Sequence, residues 1–374
     1  MSPRSTRAGV FFLLAAMVAV PVPGRAFDGD RPAPERRYPE QTADFWRSVH
    51  NPDYARSRIL VRHGVERLSH AIRALVHDPH LPQVGRAHVD NAIVRLHLAH
   101  ARAPRDPETL YLLAMARILW RDPDAGGRLE AEDEETLALL EKLRHLDPEY
   151  QAARVAFELG ILYTRARDFE GAADEYDRCL NRILLTTEGE RRYRTPEDVL
   201  ADRLFGPVPA PTVHYNLGDV TMARGDLPRA IAQYRRAIEE GRRSGRQFRT
   251  VLLSHWGLAA ALDRFGEHAA ALEHAREAVR LDDEPMAVLH LSSVFFEPSY
   301  DLHYYEALGH TALANRAAEK RGGEAEDETR SALSAAAASW QQFLSEGGDQ
   351  SAWADLARKH LDETRARLAD EDDR

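Results

Sequence analysis

The sequence contains a single cysteine, Cys179, among its 374 residues. One cysteine cannot form a disulfide within the chain, so the fold has to be stable without covalent cross-links. It also excludes the multi-cysteine sites that hold structural zinc, iron–sulfur clusters or c-type haem. Because a free cysteine behaves as a small apolar side chain, we expect Cys179 to lie in the core and not to act as a nucleophile.

Local signatures of catalysis are also missing. The sequence holds no HExxH, GxSxG or phosphate-binding GxxxxGK[ST] segment. Among 17 histidines, His97 and His100 are three residues apart, a spacing that places two metal ligands on one helix face. No carboxylate accompanies them at matching spacing. The sequence therefore predicts no catalytic residue, no cofactor and no metal, with metal binding by these histidines as the alternative.

Long apolar runs are limited to one near the N-terminus, from Ala8 to Val20. Thirteen residues are too few to cross a bilayer core of about 30 Å as a helix. The run follows Arg4 and Arg7 and precedes small residues up to Ala26, the pattern of a secretory signal peptide. We expect residues 1–26 to be cleaved and the mature chain to have no membrane span. The expected location is periplasmic or extracellular, with a peripheral place on the outer membrane as one option.

Basic residues are outnumbered by acidic ones. The chain has 50 Lys and Arg against 60 Asp and Glu. Without residues 1–26, which hold three arginines and no acid, the balance is 47 against 60. A nucleic-acid partner requires an excess of positive charge on the protein. The composition therefore argues against a nucleic-acid partner.

Helical periodicity, in contrast, is frequent, and it is clearest between residues 211 and 241. Apolar and small residues recur there at helical spacing in two segments, separated by Gly225-Asp226, with Pro228 in the first turn of the second. Three registers share the same offsets of 12, 16 and 19 residues: Gly218, Ala230, Tyr234 and Ala237; Gly160, Ala172, Tyr176 and Cys179; Ala259, Ala271, Ala275 and Ala278. Small residues let paired helices approach closely, so these offsets predict repeated helical hairpins.

The pattern resembles the tetratricopeptide repeat, and the residues that carry the resemblance are Leu217-Gly218, Gly225, Ala230, Tyr234 and Ala237. The resemblance implies an all-α fold, a right-handed superhelical solenoid of helix-turn-helix repeats. It also implies a scaffold that binds a protein or peptide partner. It covers roughly residues 107–345 and is strongest over 153–283.

The predicted domain order follows from the repeats and their interruptions. Residues 27–52 are rich in proline and charge and are expected to form an extended leader. We expect an N-terminal helical pair or degenerate repeat at 53–106, repeats at 107–283, and degenerate C-terminal repeats with a capping helix at 284–374. An insertion at 186–211 is either a solvated surface loop or a flap that grips a partner.

In tetratricopeptide proteins the first helices of successive repeats line a concave groove in which peptides bind. The resemblance assigns this groove by position relative to the small residue of each first helix. The partner-binding residues it implies are Arg154, Phe157, Ile161, Arg165, Tyr215, Asp219, Met222, Trp256 and Asp263. We expect a hydrophobic or extended segment anchored by Phe157, Tyr215 and Trp256. The alternative is that each of these three contacts only the neighbouring repeat.

A second candidate surface is an aromatic bend after Pro285, which Glu297-Pro298-Ser299 interrupts. Its residues are Phe295, Phe296, Tyr300, His303, Tyr304 and Tyr305. Clustered aromatic side chains serve either as buried packing or as a recognition surface, and the sequence leaves both readings open.

The prediction for function is a non-catalytic, exported scaffold in a bacterial cell-envelope complex. Two alternatives from other classes are kept. One is a periplasmic metal-binding or carrier protein that uses the N-terminal histidines. The other is an accessory subunit of an envelope enzyme.

Overall fold

The computed structural model describes residues 45–77, 82–120, 131–188, 204–245, 247–291, 294, 296, 298–320 and 323–372. Regular structure in these ranges is helical throughout, without a strand. The long helices are α1 (Pro52–His77), α2 (Pro82–Arg102), α3 (Pro107–Trp120), α4 (Ala131–Leu146), α5 (Ala152–Arg165), α6 (Phe169–Glu188), α7 (Ala210–Ala223), α8 (Leu227–Ser244), α9 (Phe248–Phe265), α10 (His268–Leu281), α11 (Asp301–Ala318), α12 (Gly323–Ser345) and α13 (Ala354–Asp372). Short 3₁₀ helices at Ala287–His290 and Gly348–Gln350 follow α10 and α12.

The chain divides into two compact units. Unit 1 is Met1–Leu162 with Arg182–Val208, and unit 2 is Tyr163–Asn181 with Pro209–Arg374. Within unit 1, α1 packs on α2, α2 on α3 and α3 on α4; within unit 2, each helix from α7 to α13 packs on the next. Contact between successive helices is the pattern of a helical solenoid, so the predicted all-α fold class is confirmed. The right-handed sense of the superhelix stays a prediction.

Two glycines end the first helices of the hairpins in unit 2. Gly225 has a φ of 81° and Gly266 a φ of 95°, both in the left-handed region that favours glycine. Asp226 then caps α8, because its side chain accepts a hydrogen bond from the backbone N–H of Arg229 at 3.2 Å. The turn predicted at Gly225-Asp226, with Pro228 in the next turn, is therefore present.

The hairpins pack through one aromatic ring held between two glycines. Tyr234 of α8 is fully buried. A Cβ added to Gly218 of α7 would lie 2.6 Å from this ring, and one added to Gly257 of α9 would lie 2.5 Å from it. Only glycine permits this approach of both helices. The repeat-defining residues are all buried: Gly160, Ala172, Tyr176, Gly218, Ala230, Tyr234, Ala259, Ala271 and Ala278.

Two predicted segments differ from expectation where the structure describes them. Residues 45–50 are helical, so the extended leader is wrong there; the signal peptide and residues 27–44 lie outside the described ranges. Most of the insertion, 189–203, is also outside them. Its described end is not a solvated loop, because Leu204 and Phe205 are 5% and 4% exposed. None of the described helices combines the length and apolar character needed to cross a membrane.

Candidate partner-binding site

Two helices of unit 2, α7 and α9, carry most of the predicted groove positions. We call these positions the first-helix face: Thr212, Tyr215, Asp219 and Met222 on α7, and Leu253, Trp256, Ala260 and Asp263 on α9. All four side chains on α7 keep part of their surface exposed, whereas on α9 only Leu253 does. The face therefore keeps some exposed surface along α7, where Tyr215 and Met222 also pack against the core, and is largely closed along α9.

The closure is clearest at Trp256, which is 1% exposed. Its indole packs on α11, since a Cβ added to Gly309 would lie 2.9 Å from the ring. Trp256 shares one buried cluster with side chains from the 3₁₀ helix after α10 and from α11, α12 and α13. Those residues include Leu289, Tyr304, Tyr305, Trp340, Phe343 and Leu361. The prediction that Trp256 anchors a partner is wrong here, because the chain's own C-terminal helices bury the ring.

The aromatic bend supplies part of this covering layer. Tyr304 is fully buried and meets Trp340 and Phe343 edge-on, with ring centroids 4.8 and 5.3 Å away. Tyr305 is 6% exposed and lies 5.1 Å from the ring of Phe296. Of the two readings that the sequence left open, packing holds for Tyr304 and Tyr305.

The remaining residues of the aromatic bend have mixed surroundings. Tyr300 packs edge-on against the same cluster, at 5.4 Å between ring centroids. His303 lies 2.8 Å from a carboxylate oxygen of Glu306 and 3.1 Å from one of Glu346. Phe295 lies outside the described residues. Among the described residues of the bend, Tyr304 and Tyr305 therefore belong to the core of unit 2, and Phe296, Tyr300 and His303 are partly buried beside it.

The predicted groove residues of α5 are also internal to a large extent. Arg154 is 4% exposed, and its guanidinium donates to the carbonyl oxygens of Phe205 and of the next residue at 3.1 and 2.6 Å. Phe157 is 1% exposed. Arg154 and Phe157 thus support the end of the insertion and the core of unit 1, and the prediction that they face a partner is wrong. Ile161 and Arg165 remain partly exposed.

The accessible half of the first-helix face is built around the carboxyl group of Asp219. Tyr234 donates from its hydroxyl to Oδ1 at 2.6 Å, and Tyr215 also bonds the carboxyl group. Burial raises the pKa of Asp219 to about 7, although the two tyrosine hydrogen bonds act to lower it. Burial and the neighbouring carboxylate in turn raise the pKa of Tyr215 and of Tyr234. Near neutral pH, the carboxyl group of Asp219 can therefore lose its proton, and it then changes from a hydrogen-bond donor to an acceptor.

This raised pKa predicts a pH-dependent stability. A raised carboxyl pKa means that Asp219 stabilises the fold most below its unfolded pKa of about 3.9, and that this contribution is lost as the pH rises towards 7. Asp219→Asn cannot ionise. Relative to wild type, its free energy of unfolding should increase by on the order of 2 kcal/mol between about pH 5 and about pH 8.

Urea denaturation at the two pH values measures this difference. The exposed Asp174 provides the matched control, since Asp174→Asn should differ from wild type by the same amount at both pH values. Equal stability differences for the Asp219 variant at both pH values would show that Asp219 ionises as it does in water.

A second polar cluster surrounds Asp263 on α9, which is fully buried. Its carboxylate lies 2.5 Å from Nδ1 of His268 and 3.1 Å from Nε2 of His360 on α13, and the hydroxyl of Tyr304 donates to Oδ2. Burial acts to raise the pKa of Asp263, but hydrogen bonds from His268, His360 and Tyr304 hold it below its usual range. Asp263 was predicted to face a partner, and its burial makes that prediction wrong.

No local pattern in the sequence indicates this cluster. His268 is five residues from Asp263, but His360 is 97 residues away, so no spacing rule brings them together. Asp263, His268 and His360 are the one group of three or more close potential metal ligands in the described ranges. None of the three is among the metal ligands that the sequence suggests.

The histidines singled out as alternative metal ligands have different surroundings. Nε2 of His97 lies 2.9 Å from the guanidinium of Arg117. Burial lowers the pKa of His97 and of His100, and the positive charges of Arg117 and Lys142 lower them further. Neither belongs to a three-ligand group in the described part of the chain. Two cations beside two histidines do not favour a metal ion.

Residues 210–284, which contain α7 to α10, match the sequence model of the family described as Tetratricopeptide repeat. No curated protein matches the sequence.

Proposed function

We propose that the chain, which is a tetratricopeptide repeat protein, binds a segment of another protein along the α7 side of the first-helix face. Tetratricopeptide repeats serve as scaffolds for protein–protein interactions, and the family is generally not enzymatic. The observation that supports this location is the row of partly exposed side chains at Thr212, Tyr215, Asp219 and Met222. These residues follow one another at helical spacing on a helix inside the matched repeats.

The chemistry of the row points to an extended, mixed segment as the ligand. Tyr215 and Met222 offer apolar surface, and a thioether side chain adapts to different partners. Asp219 lies between Tyr215 and Met222 in the row, and Thr212 lies beside Tyr215. Both Thr212 and Asp219 offer hydrogen-bonding groups. The hydroxyl of Thr212 already lies 3.3 Å from that of Thr250, so it is held in place before a partner arrives. Aromatic anchors with polar neighbours are typical of peptide-binding surfaces.

A competing surface lies between α8, α9 and α10. A groove of about 400 Å³ is lined there by Arg242, Phe248, Val251, Glu277, Arg280 and Leu281. Phe248 is 57% exposed at its edge. Three of its lining residues, Arg242, Glu277 and Arg280, are charged. The α7 row, in contrast, is the surface to which the family resemblance assigns ligands.

The proposal places this scaffold outside the cytoplasm, in an envelope complex of a bacterial cell, and without catalytic activity of its own. Residues 1–26 support export, because a basic start, an apolar run and small residues up to Ala26 follow in order. The excess of acidic residues supports a partner other than nucleic acid.

Site-specific photo-crosslinking in intact cells tests the proposal. A photoreactive amino acid is introduced at Thr212 or Met222, and in matched variants at Phe248 or Phe265, which are 57% and 50% exposed at the ends of α9. We expect one partner to be captured from positions 212 and 222 and not from 248 or 265. Capture from 248 alone would move the site to the competing groove, and capture from none of the four would contradict a partner.

The protein recovered in the same experiment also tests export. Its first residue by mass spectrometry is expected to be Phe27. Mature protein that still begins at Met1 would contradict export.

A further inference from the structure

We propose that Asp263, His268 and His360 bind a divalent transition-metal ion of the zinc class. The three side chains come from α9, the first residue of α10, and α13, and each offers one ligand atom within 4.8 Å of the others. Nitrogen from two imidazoles and oxygen from one carboxylate form a common protein ligand set for zinc. Magnesium and calcium prefer oxygen alone, so this set does not suit them.

The carboxylate and His360 lie close to the spacing that an ion needs, whereas the ring of His268, stacked on that of His360 with centroids 4.3 Å apart, has to turn as well as move. Zinc–ligand bonds of about 2.0–2.1 Å in a tetrahedral site place donor atoms roughly 3.3 Å apart. Nε2 of His360 is already 3.1 Å from the carboxylate. Nδ1 of His268 is 2.5 Å from it and has to move outward by roughly 1 Å to reach this spacing. The side chain of His268 is 37% exposed, so its ring has room to move and gives the ion a route from solvent.

The buried carboxylate is held by hydrogen bonds from His268, His360 and Tyr304, and a bound ion would take the place of the two histidine protons. The side chain of Asp263 has no exposed surface. A buried carboxylate requires a nearby positive charge or a full set of hydrogen bonds. The adjacent Arg264 does not supply the charge, because its guanidinium pairs with Asp301 at 2.9 Å and lies over the ring of Tyr304. An ion held between the carboxylate and the imidazoles would supply this positive charge directly.

The residues around the three ligands are arranged as supports. Metal-binding histidines commonly present their second ring nitrogen to a carboxylate, which orients the ring. Nδ1 of His360 lies 3.6 Å from a carboxylate oxygen of Glu363. The ring of His360 also packs on Trp340 at 5.1 Å. The hydroxyl of Tyr304 donates to Oδ2 of Asp263 and fixes the carboxylate. Both buried ligands are therefore held before an ion binds.

Such an ion would fix the C-terminal helix onto the repeats. His360 is the ligand from α13, whereas the other two belong to the matched hairpin of α9 and α10. Binding would therefore stabilise the arrangement in which the C-terminal elements cover the α9 side of the first-helix face. This inference does not depend on partner binding at α7.

Zinc titration of the full chain tests the site. The chain is produced without a polyhistidine tag, stripped with EDTA, desalted and titrated with Zn²⁺ by calorimetry. We expect one ion per chain. His268→Ala should weaken binding by at least about 100-fold, because it removes a direct ligand, and Glu363→Gln should weaken it by about 10-fold through the orientation of His360. His290→Ala is the matched control, since His290 is exposed and paired with Glu306 elsewhere on unit 2.

Cobalt binding to the wild-type chain tests the metal site without any variant. Co²⁺ bound to the wild-type chain should give the visible absorption of a low-coordinate nitrogen and oxygen site, and Zn²⁺ should displace it. The proposal is overturned if the wild type binds no zinc, or if His268→Ala binds it as tightly as His290→Ala does. If His268→Ala does not fold, the cobalt spectrum of the wild type decides, and its absence would overturn the proposal.

Discussion

Replacing Trp256 with alanine is expected to lower the free energy of unfolding by about 3–5 kcal/mol. The indole is 1% exposed and packs on α11 at Gly309, so its removal leaves a cavity that the surrounding helices cannot fully close. A residue whose role was to anchor a ligand would be exposed, and its replacement would cost little stability. Urea denaturation followed by far-ultraviolet circular dichroism measures the change.

Phe248 on the same helix provides the control for Trp256. Its side chain is 57% exposed, so Phe248→Ala should change the free energy of unfolding by less than about 0.5 kcal/mol. Both variants remove an aromatic ring from α9, and burial is the main difference between the two sites. A Trp256→Ala variant as stable as Phe248→Ala would mean that the C-terminal elements do not cover α9.

Replacing Asp263 with alanine is the second change with a large expected effect. The substitution removes the common partner of His268, His360 and Tyr304 and leaves two of these buried without it. Removing one member of a buried charged network costs about 3–5 kcal/mol. Denaturation in EDTA measures this loss without any contribution from a metal ion. Asp263→Asn keeps an acceptor oxygen and should lose less.

The effect of Asp263 should depend on pH in a defined direction. Its pKa is held below its usual range, so its contribution to stability is present above the unfolded pKa of about 3.9 and is lost as the pH falls through the folded pKa. The difference between wild type and Asp263→Ala should therefore shrink as the pH falls below about 4. A difference that grows in acid would contradict the assigned hydrogen bonds.

The hairpins could be predicted from the sequence because their signals are local. Gly225 and Asp226 mark the turn, and the left-handed φ of Gly225 gives the physical reason for glycine there. The small residue at Gly218 and the aromatic at Tyr234 are 16 residues apart, and the structure places one against the other. Gly257, which touches the same ring from α9, was missed because it lies two residues before the repeat position Ala259.

The covering of α9 could not be predicted in this way. Trp256 and Asp263 occupy positions that face a groove in the repeat pattern, and nothing in their own helix distinguishes an open face from a covered one. The residues that cover them include Tyr304 and His360, which are 41 and 97 residues from Asp263. The amphipathic pattern of α13 predicts a helix with one apolar side but does not indicate which surface that side covers.

Arg154 is a charged residue whose contacts also could not be predicted from its position in the repeat. An arginine on a predicted groove face suggests a contact with a partner's carboxylate or carbonyl groups. Here its guanidinium donates to two carbonyl oxygens of the chain itself, at Phe205 and Gly206. Those residues belong to the insertion, which carries no repeat pattern from which a contact with α5 could be inferred.

Hydroxyl-radical footprinting with mass spectrometry tests most directly whether the chain's own C-terminal elements cover the α9 side of the first-helix face. The method reports the solvent accessibility of individual side chains in the native protein. Helix α9 suits it because this helix carries one buried aromatic residue and two exposed ones. Trp256 is expected to be protected, while Phe248 and Phe265 on the same helix are oxidised readily. Oxidation of Trp256 at a rate expected for an exposed indole would show that α9 is open to a partner and contradict the closed face.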